Sequence, residues 1–314
     1  MNKKWIKRGT VFGVGATLLL ASGLSAMAGT SGYETYKSAI KHTYAATSFT
    51  NQGSIVVTDN GKKILSADLE MKLNKETNAM SGEVAVTGTS ETKSFQIYKQ
   101  DGKMVFAGDD SEVYRVLPLS QEERSFEDRD SQPPQHAEQL MEALMGNLKD
   151  LATVEELPSG NKQASLHLSG SQIPAIVQAV GSMAAGHMTS ADRMAADGGW
   201  NMPMGHGGAM MSNDEDMMKM HPSLADFDFP ALTDDVKVED IRIDAEISPD
   251  QYVEQQQGQI KVSGTDAEGN RHELVIAIDF DLSGFGQTTP ETVDLTGKQV
   301  ETIEREAHHP HWQR

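Results

Sequence analysis

The sequence predicts an α+β protein built on one antiparallel sheet of about eleven strands, with three helices. Most of the predicted strands are joined by tight turns, which is how antiparallel neighbours are connected. No crossover helices separate consecutive strands, which argues against Rossmann and TIM-barrel folds. The chain has 314 residues, of which 38% are hydrophobic and 23% are charged, so a packed core is expected.

An export signal is predicted at the beginning of the chain. The basic segment contains Lys3, Lys4, Lys7 and Arg8. An apolar run extends from it to Ala21, and Ala26-Met27-Ala28 provides a small-x-small cleavage site. This is the layout of a secretory signal peptide over residues 1–28. We expect export by the general secretory route and a mature protein that is extracellular or associated with the cell envelope. An uncleaved N-terminal anchor is the alternative.

Three helices are predicted from apolar spacing. Residues 32–48 are amphipathic, because four apolar or aromatic side chains recur every three to four residues. These side chains are Tyr33, Tyr36, Ile40 and Tyr44. Residues 140–148 and residues 173–180 carry the two other helical patterns.

The strands of the first half are predicted from β-branched and alternating segments. Ile55–Thr58 is β-branched, and Leu65–Leu73 alternates apolar with polar side chains. Asn60-Gly61 between them is a two-residue hairpin turn, because both residue types tolerate positive φ. Asp101-Gly102 is the second such turn.

A β-bulge is predicted in the second half. Val236 and Val238 alternate in one phase, while the apolar residues from Ile241 to Ile247 alternate in the other. A one-residue phase shift within a strand indicates a bulge near Glu239-Asp240. A further hairpin is predicted after it, with strands at 259–265 and 271–281.

A Met-rich insert interrupts the domain, which spans residues 29–300. Residues 181–222 hold 10 of the 17 methionines, and we read them as mostly irregular. Thioethers suit Cu(I) and imidazoles suit Cu(II) or Zn(II), so the insert is a candidate copper site. The candidate ligands are Met202, Met204, His206, Met210, Met211, Met217, Met218, Met220 and His221. A flexible low-complexity loop is the alternative. Residues 301–314 are expected to be a disordered, His-rich tail.

Several segments together resemble the LolA-like lipoprotein-carrier superfamily. They are the signal peptide, the helix leading into Ser54-Ile55-Val56-Val57, the strand Leu65–Leu73, the segment Val238-Glu239-Asp240-Ile241, the strand Gln259–Thr265 with Asp266, and Asp294-Leu295-Thr296-Gly297-Lys298. The resemblance covers roughly residues 33–300 without the insert. It implies a strongly curved antiparallel half-barrel whose concave apolar face is covered by helices. It also implies binding of acyl chains or lipidated protein, or sensing of envelope stress.

An apolar ligand cavity is the first functional hypothesis. A curved sheet with few helices does not always fill its interior, and an unfilled apolar cavity accepts hydrocarbon. The candidate ligand-binding residues are Tyr33, Tyr36, Ile40, Tyr44, Leu65, Leu69, Phe95 and Ile97. An ordinary packed core is the alternative, because apolar periodicity is what any core produces.

Composition and motifs narrow the function classes. The net charge of −19 disfavours nucleic-acid binding, and the absence of Cys removes disulfides, thiolate metal sites and Cys nucleophiles. No catalytic motif was found, so we expect a monomeric, non-enzymatic binding protein without a resident cofactor. Its expected partners are an apolar ligand or a lipoprotein. Copper sequestration through the insert is one alternative function. Envelope-stress sensing through contact with a membrane protein is the other.

Overall fold

The computed structural model describes residues 32–108, 113–119, 148–175, 177–178 and 229–303. The signal peptide predicted at 1–28 and the insert predicted at 181–222 lie outside these residues. So do most of the helix predicted at 140–148 and the tail from residue 304 onward.

The described chain forms one long helix and twelve strands. Helix α1 spans Gly32–Ala45, as predicted, but ends three residues before the predicted boundary at residue 48. Short 3-10 helices span Lys149–Leu151 and Gly170–Gln172. The strands are β1 (Ser48–Asp59), β2 (Lys62–Asn74), β3 (Ala79–Thr87), β4 (Thr92–Gln100), β5 (Lys103–Gly108), β6 (Val113–Pro118), β7 (Thr153–Glu156), β8 (Lys162–Ser169), β9 (Asp234–Ile247), β10 (Val253–Thr265), β11 (Arg271–Ser283) and β12 (Gln299–Thr302). None of the described helices combines the length and the apolarity needed to cross a bilayer.

All twelve described strands belong to one open sheet. Their order is β12-β6-β5-β4-β3-β2-β1-β11-β10-β9-β8-β7. The two edge strands, β12 and β7, do not pair with each other, so the sheet does not close on itself. The prediction of one large sheet is confirmed, but the prediction that it is antiparallel throughout is wrong, and the described residues form twelve strands where about eleven were predicted. The sheet has a twelfth strand, and that strand pairs with β6 in parallel, with Gln299 opposite Val113. Sequence patterning missed β12 because all four of its residues are exposed and show no apolar alternation.

Both predicted two-residue turns and the predicted bulge are confirmed. Asn60 and Gly61 have φ values of 49° and 79°, and Asp101 and Gly102 have φ values of 50° and 69°. In the pairing of β9 with β10, Lys261 lies opposite Asp240 and Val262 opposite Val238, so Glu239 is the additional residue.

Strand β8 pairs with β9 only as far as Asp240, and beyond that point the backbone of Val238 bonds to a side chain instead. The side-chain amide of Gln178 donates to the Val238 carbonyl at 2.6 Å and accepts from the Val238 N–H at 2.8 Å. This pair of hydrogen bonds fastens the segment after the second 3-10 helix to the sheet.

One face of the sheet carries most of the core and is called here the apolar face. Directly paired residues of neighbouring strands project to the same side, so the pairing register identifies its members. One row crosses ten strands from β7 to β5. Its residues, in spatial order, are Val154, Ala164, Ala245, Gln256, Phe280, Gly53, Leu69, Val84, Phe95 and Gly108. Gln256 is the one residue of this row with a polar side chain.

The buried side chains of the apolar face form four separate clusters in the described residues. The helix cluster packs α1 on β8–β10 and consists of Ala39, Ile40, Ala164, Ala245, Ile247 and Val253. The Leu232 cluster lies at the opposite ends of β8–β11 and consists of Leu148, Leu168, Ile173, Leu232, Val238, Val262 and Leu274. The central cluster consists of Ile55, Val57, Leu65, Ala67, Leu69, Val86, Ile278 and Phe280. A fourth cluster on β5 and β6 consists of Met104, Phe106, Leu117 and Leu119.

Candidate ligand site on the apolar face

An opening lies between the helix cluster and the Leu232 cluster. Along the apolar side of β10, Gln256 is 3% exposed and Val262 is 6% exposed, yet Ile260 between them is 38% exposed. Ile260 pairs with Ile276 on β11, which is half-buried. Apolar surface is therefore accessible in the middle of a face that is buried at both ends.

Half-buried neighbours extend this apolar surface across four strands. Leu166 on β8 pairs with Ile243 on β9, and Ile243 pairs with Gly258 on β10. All three are half-buried. Gly258 has no side chain of its own, and its partner Ile278 on β11 lies against it. The opening is defined here by five residues: Leu166, Ile243, Gly258, Ile260 and Ile276.

Glycines let large side chains lie across neighbouring strands on this face. A Cβ atom built on Gly53 would lie 1.8 Å from Cδ1 of Phe280, and one built on Gly258 would lie 2.8 Å from Cγ1 of Ile278. Each glycine is paired directly with the residue that covers it. A sheet face crowded in this way is typical of the inner side of a bend, where glycine makes room for its neighbours.

Helix α1 is attached to the sheet beside the opening. The hydroxyl of Thr43 donates to the Ala39 carbonyl at 2.8 Å and accepts from the Val253 backbone N–H at 2.8 Å. At the other end of α1, Gly32 lies against the backbone of Thr153, where a Cβ atom would lie 2.1 Å from the carbonyl oxygen. The helix therefore crosses the apolar face from β7 to the start of β10.

Near the helix cluster, two buried polar groups have no hydrogen-bond partner among the described residues. They are the side-chain nitrogen of Gln256 and the hydroxyl of Tyr36. Tyr36 packs against the helix cluster, which contains Ala245, and Ala245 lies directly opposite Gln256. Burial, with a further contribution from Tyr44, raises the pKa of Tyr36, so its hydroxyl keeps its proton.

The eight residues predicted to bind a ligand are divided among different parts of the apolar face. Ile40, Tyr36 and Tyr44 meet in or against the helix cluster, and Tyr33 is 2% exposed near the start of the same helix. The remaining four lie on the strands of the first half. Leu65 and Leu69 belong to the central cluster, Phe95 is half-buried on β4, and Ile97 packs against the fourth cluster.

Helix α1 was expected to pack on strands of the first half of the chain, but it packs mainly on other strands. Its main sheet contacts are with β7, β8, β9 and β10, while Leu65, Leu69, Phe95 and Ile97 lie on β2 and β4. Helical periodicity identified the buried side of α1 correctly but contained no information about which strands it faces.

Sequence reasoning missed Ile260 and Gln256. The alternation of Ile241 with Ile243 on β9, and of Ile276 with Ile278 on β11, indicated only that each of these strands has one apolar side. Gln256 stands within Gln255-Gln256-Gln257, so its sequence gave no signal that the middle amide is buried.

The predicted copper ligands lie outside the described residues. Within residues that the structure does describe, no group of three or more His, Asp or Glu side chains is arranged to hold a metal ion. The terminal histidines predicted to be frayed are likewise outside the described ranges.

A polar groove of about 790 Å³ lies where β9–β11 present their charged side chains. Two ion pairs lie within this groove. Arg242 contacts Asp240 at 3.1 Å, and Lys261 contacts Glu273 at 2.7 Å. The groove carries side chains of both signs and four of them are taken up in these two pairs, so it does not indicate a particular ligand. The opening on the apolar face is the stronger candidate site.

No protein-family model matches the chain. No curated protein matches it significantly.

Proposed function

We propose that this protein is an exported, non-enzymatic binding protein that holds an acyl chain against the opening on the apolar face. The observation that carries this proposal is the 38% exposure of Ile260 between two buried clusters. An accessible apolar surface with buried margins is what a hydrocarbon ligand requires.

The energetics of such a site are favourable. Each methylene group removed from water contributes about 0.8 kcal/mol. A chain that buries about eight methylenes would gain roughly 6 kcal/mol before the cost of ordering it is subtracted. The five residues of the opening are aliphatic or glycine, so they require no matching polar groups along the chain.

A LolA-like half-barrel is the architecture that we propose for this site. The crowding of Phe280 over Gly53 and of Ile278 over Gly258 supports an apolar face that is the concave side of a bent sheet. Helix α1 packs on that face through the helix cluster. In this arrangement α1 would form one wall beside the bound chain.

The first test is native mass spectrometry of the mature protein purified gently from its own host, followed by solvent extraction. We expect an acyl-chain compound at near-unit occupancy. An empty protein that also fails to take up the apolar dye N-phenyl-1-naphthylamine would contradict the proposal.

A pair of variants localises the site. Ile260→Asn places an amide in the opening, and we expect it to weaken dye binding at least tenfold. Val300→Asn is the matched control, because Val300 is a 43% exposed apolar residue on β12, far along the sheet order from β10. Equal effects of the two substitutions would show that the dye binds somewhere else.

A further inference from the structure

The proposed acyl site has a polar end, and this inference rests on the function proposed above. We infer that the bound ligand carries a neutral carbonyl head group, an ester or an amide, held between the Gln256 amide and the Tyr36 hydroxyl. Its hydrocarbon chain would then lie along the opening toward Ile260.

The positions of the two polar groups fit a head group at the α1 end of the opening. Gln256, Gly258 and Ile260 project to the same side of β10, and each step of two residues along a strand covers roughly 6.6 Å. Gln256 is therefore one such step, roughly 6.6 Å, from Gly258 at the start of the opening. Tyr36 packs from α1 on the helix cluster, and Ala245 of that cluster lies directly opposite Gln256.

The bonding state of the two groups indicates a missing partner. The Gln256 side-chain nitrogen and the Tyr36 oxygen are both buried, and within the part of the chain that the structure describes neither has a hydrogen-bond partner. Leaving a buried donor unsatisfied is costly, so such groups in a folded protein require an explanation. One carbonyl oxygen has two lone pairs and can accept from an amide N–H and a hydroxyl at once.

The surroundings of Gln256 select a neutral head group. Its neighbours in the same row are Phe280 on one side and Ala245 and Ala164 on the other. A carboxylate in this apolar row would be buried without a cation, which is strongly unfavourable. An ester or amide carbonyl would satisfy the two donors without adding a charge.

The test compares three probes of matched chain length, delivered from cyclodextrin: methyl laurate, tetradecane and laurate. Binding is measured by displacement of N-phenyl-1-naphthylamine from the full mature protein. We expect methyl laurate to bind more tightly than tetradecane and laurate. Gln256→Leu should weaken methyl laurate binding about 5- to 10-fold, the value of one buried hydrogen bond, and leave tetradecane binding unchanged.

Tyr36→Phe is the second variant and should have an effect of the same sign and size on methyl laurate. Gln257→Leu is the matched control, because Gln257 is exposed and is the next residue along β10, on the opposite side. Circular dichroism establishes that each variant is folded. The use of two variants on different elements keeps the test decisive if one of them is unstable.

The outcomes separate this inference from the proposed function. One outcome is that the wild-type protein binds methyl laurate and tetradecane equally and that Gln256→Leu changes neither affinity. This result would mean that the two polar groups hold water only. It would overturn the head-group inference and leave the acyl site standing. Tighter binding of laurate than of methyl laurate would overturn the neutral head group. Failure of all three probes to bind would overturn both proposals.

Discussion

The hydroxyl of Thr43 accepts a hydrogen bond from the backbone N–H of Val253 at 2.8 Å, and both residues are buried. The same hydroxyl donates to the Ala39 carbonyl, so one side chain serves the helix and the sheet together. This contact fixes the last turn of α1 at the beginning of β10, although the two residues are 210 positions apart in the chain. The position of the helix beside the opening depends on it.

Replacing that hydroxyl should weaken the attachment of α1. We expect Thr43→Val, which preserves the shape of the side chain, to lower the free energy of unfolding by about 1–3 kcal/mol, because the Val253 N–H is left buried without an acceptor. Urea unfolding measures the change. The control is Thr47→Val at an exposed position, which should lie within about 0.5 kcal/mol of wild type. A loss at Thr43 no larger than that of the control would show that the hydrogen bond is not needed.

Crowding at Gly53 should make that position intolerant of any side chain. Gly53→Ala places a methyl group within the ring of Phe280, and we expect a loss of about 1–3 kcal/mol in stability. Gly108→Ala is the control in the same cross-sheet row, because its nearest neighbouring atom would be 3.9 Å away. Thermal and urea unfolding of the two variants provide the comparison. Similar stabilities would mean that the ring of Phe280 moves aside freely.

A histidine between two carboxylates should make stability depend on pH. Nδ1 of His272 lies 2.9 Å from Asp59, and Nε2 lies 3.1 Å from Asp266, so both nitrogens must carry protons to donate to two carboxylates. Partial burial opposes the charge, but the hydrogen bonds to the two carboxylates outweigh it and raise the pKa of His272. His272 lines the polar groove of β9–β11, together with Asn60 and Arg271.

The sign of the effect follows from the raised pKa. The stabilising contribution of His272 is complete below its ordinary pKa of 6.5 and is lost as the pH rises through the higher pKa of the folded state. At the acidic end, hydrogen bonds led by that from Asn270 lower the pKa of Asp266 to about 2, so its contribution is lost as the pH falls from 3.8 toward 2.

Urea midpoints measured from pH 5 to pH 9 test the histidine. We expect wild type to be more stable than His272→Gln at pH 5, with a difference that shrinks toward pH 9. His167→Gln is the control, because His167 also contacts an aspartate, Asp240, but its side chain is 52% exposed. A difference between wild type and His272→Gln that stays constant with pH would contradict the bridging imidazolium.

An unpaired buried amide should cost stability when no ligand is bound. We expect Gln256→Leu to raise the free energy of unfolding of the ligand-free protein by about 1 kcal/mol, because an apolar side chain of similar size suits its apolar row better. Gln257→Leu should change stability by less than about 0.5 kcal/mol. A stability loss in Gln256→Leu would show that the amide already has a partner in the free protein.

The sequence was sufficient for those parts of the fold that local backbone chemistry determines. Asn60-Gly61 requires positive φ and therefore marks its turn without any knowledge of the partners. The bulge at Glu239 was visible because an extra residue reverses the alternation of every apolar residue after it.

Parts that depend on distant partners could not be read in this way. Ile40 packs against Ala245 and Val253, which come much later in the chain, and nothing in the periodicity of α1 selects them. Strand β12 is held by backbone pairing with β6 and carries no apolar pattern. The exposure of Ile260 depends on what covers the sheet, which is a property of the whole fold.

The pairing of β1 at the centre of the sheet also has a consequence for folding. Strand β1 pairs with β2, its immediate successor, on one side and with β11 on the other, where Ile55 lies opposite Ile278. We expect the meander from β1 to β6 to assemble from local contacts first and the pairing of β1 with β11 to form later, because β11 is distant from β1 in the sequence. Closing such a distant pairing is slow, and until then one edge of β1 remains an unpaired strand that another chain could join.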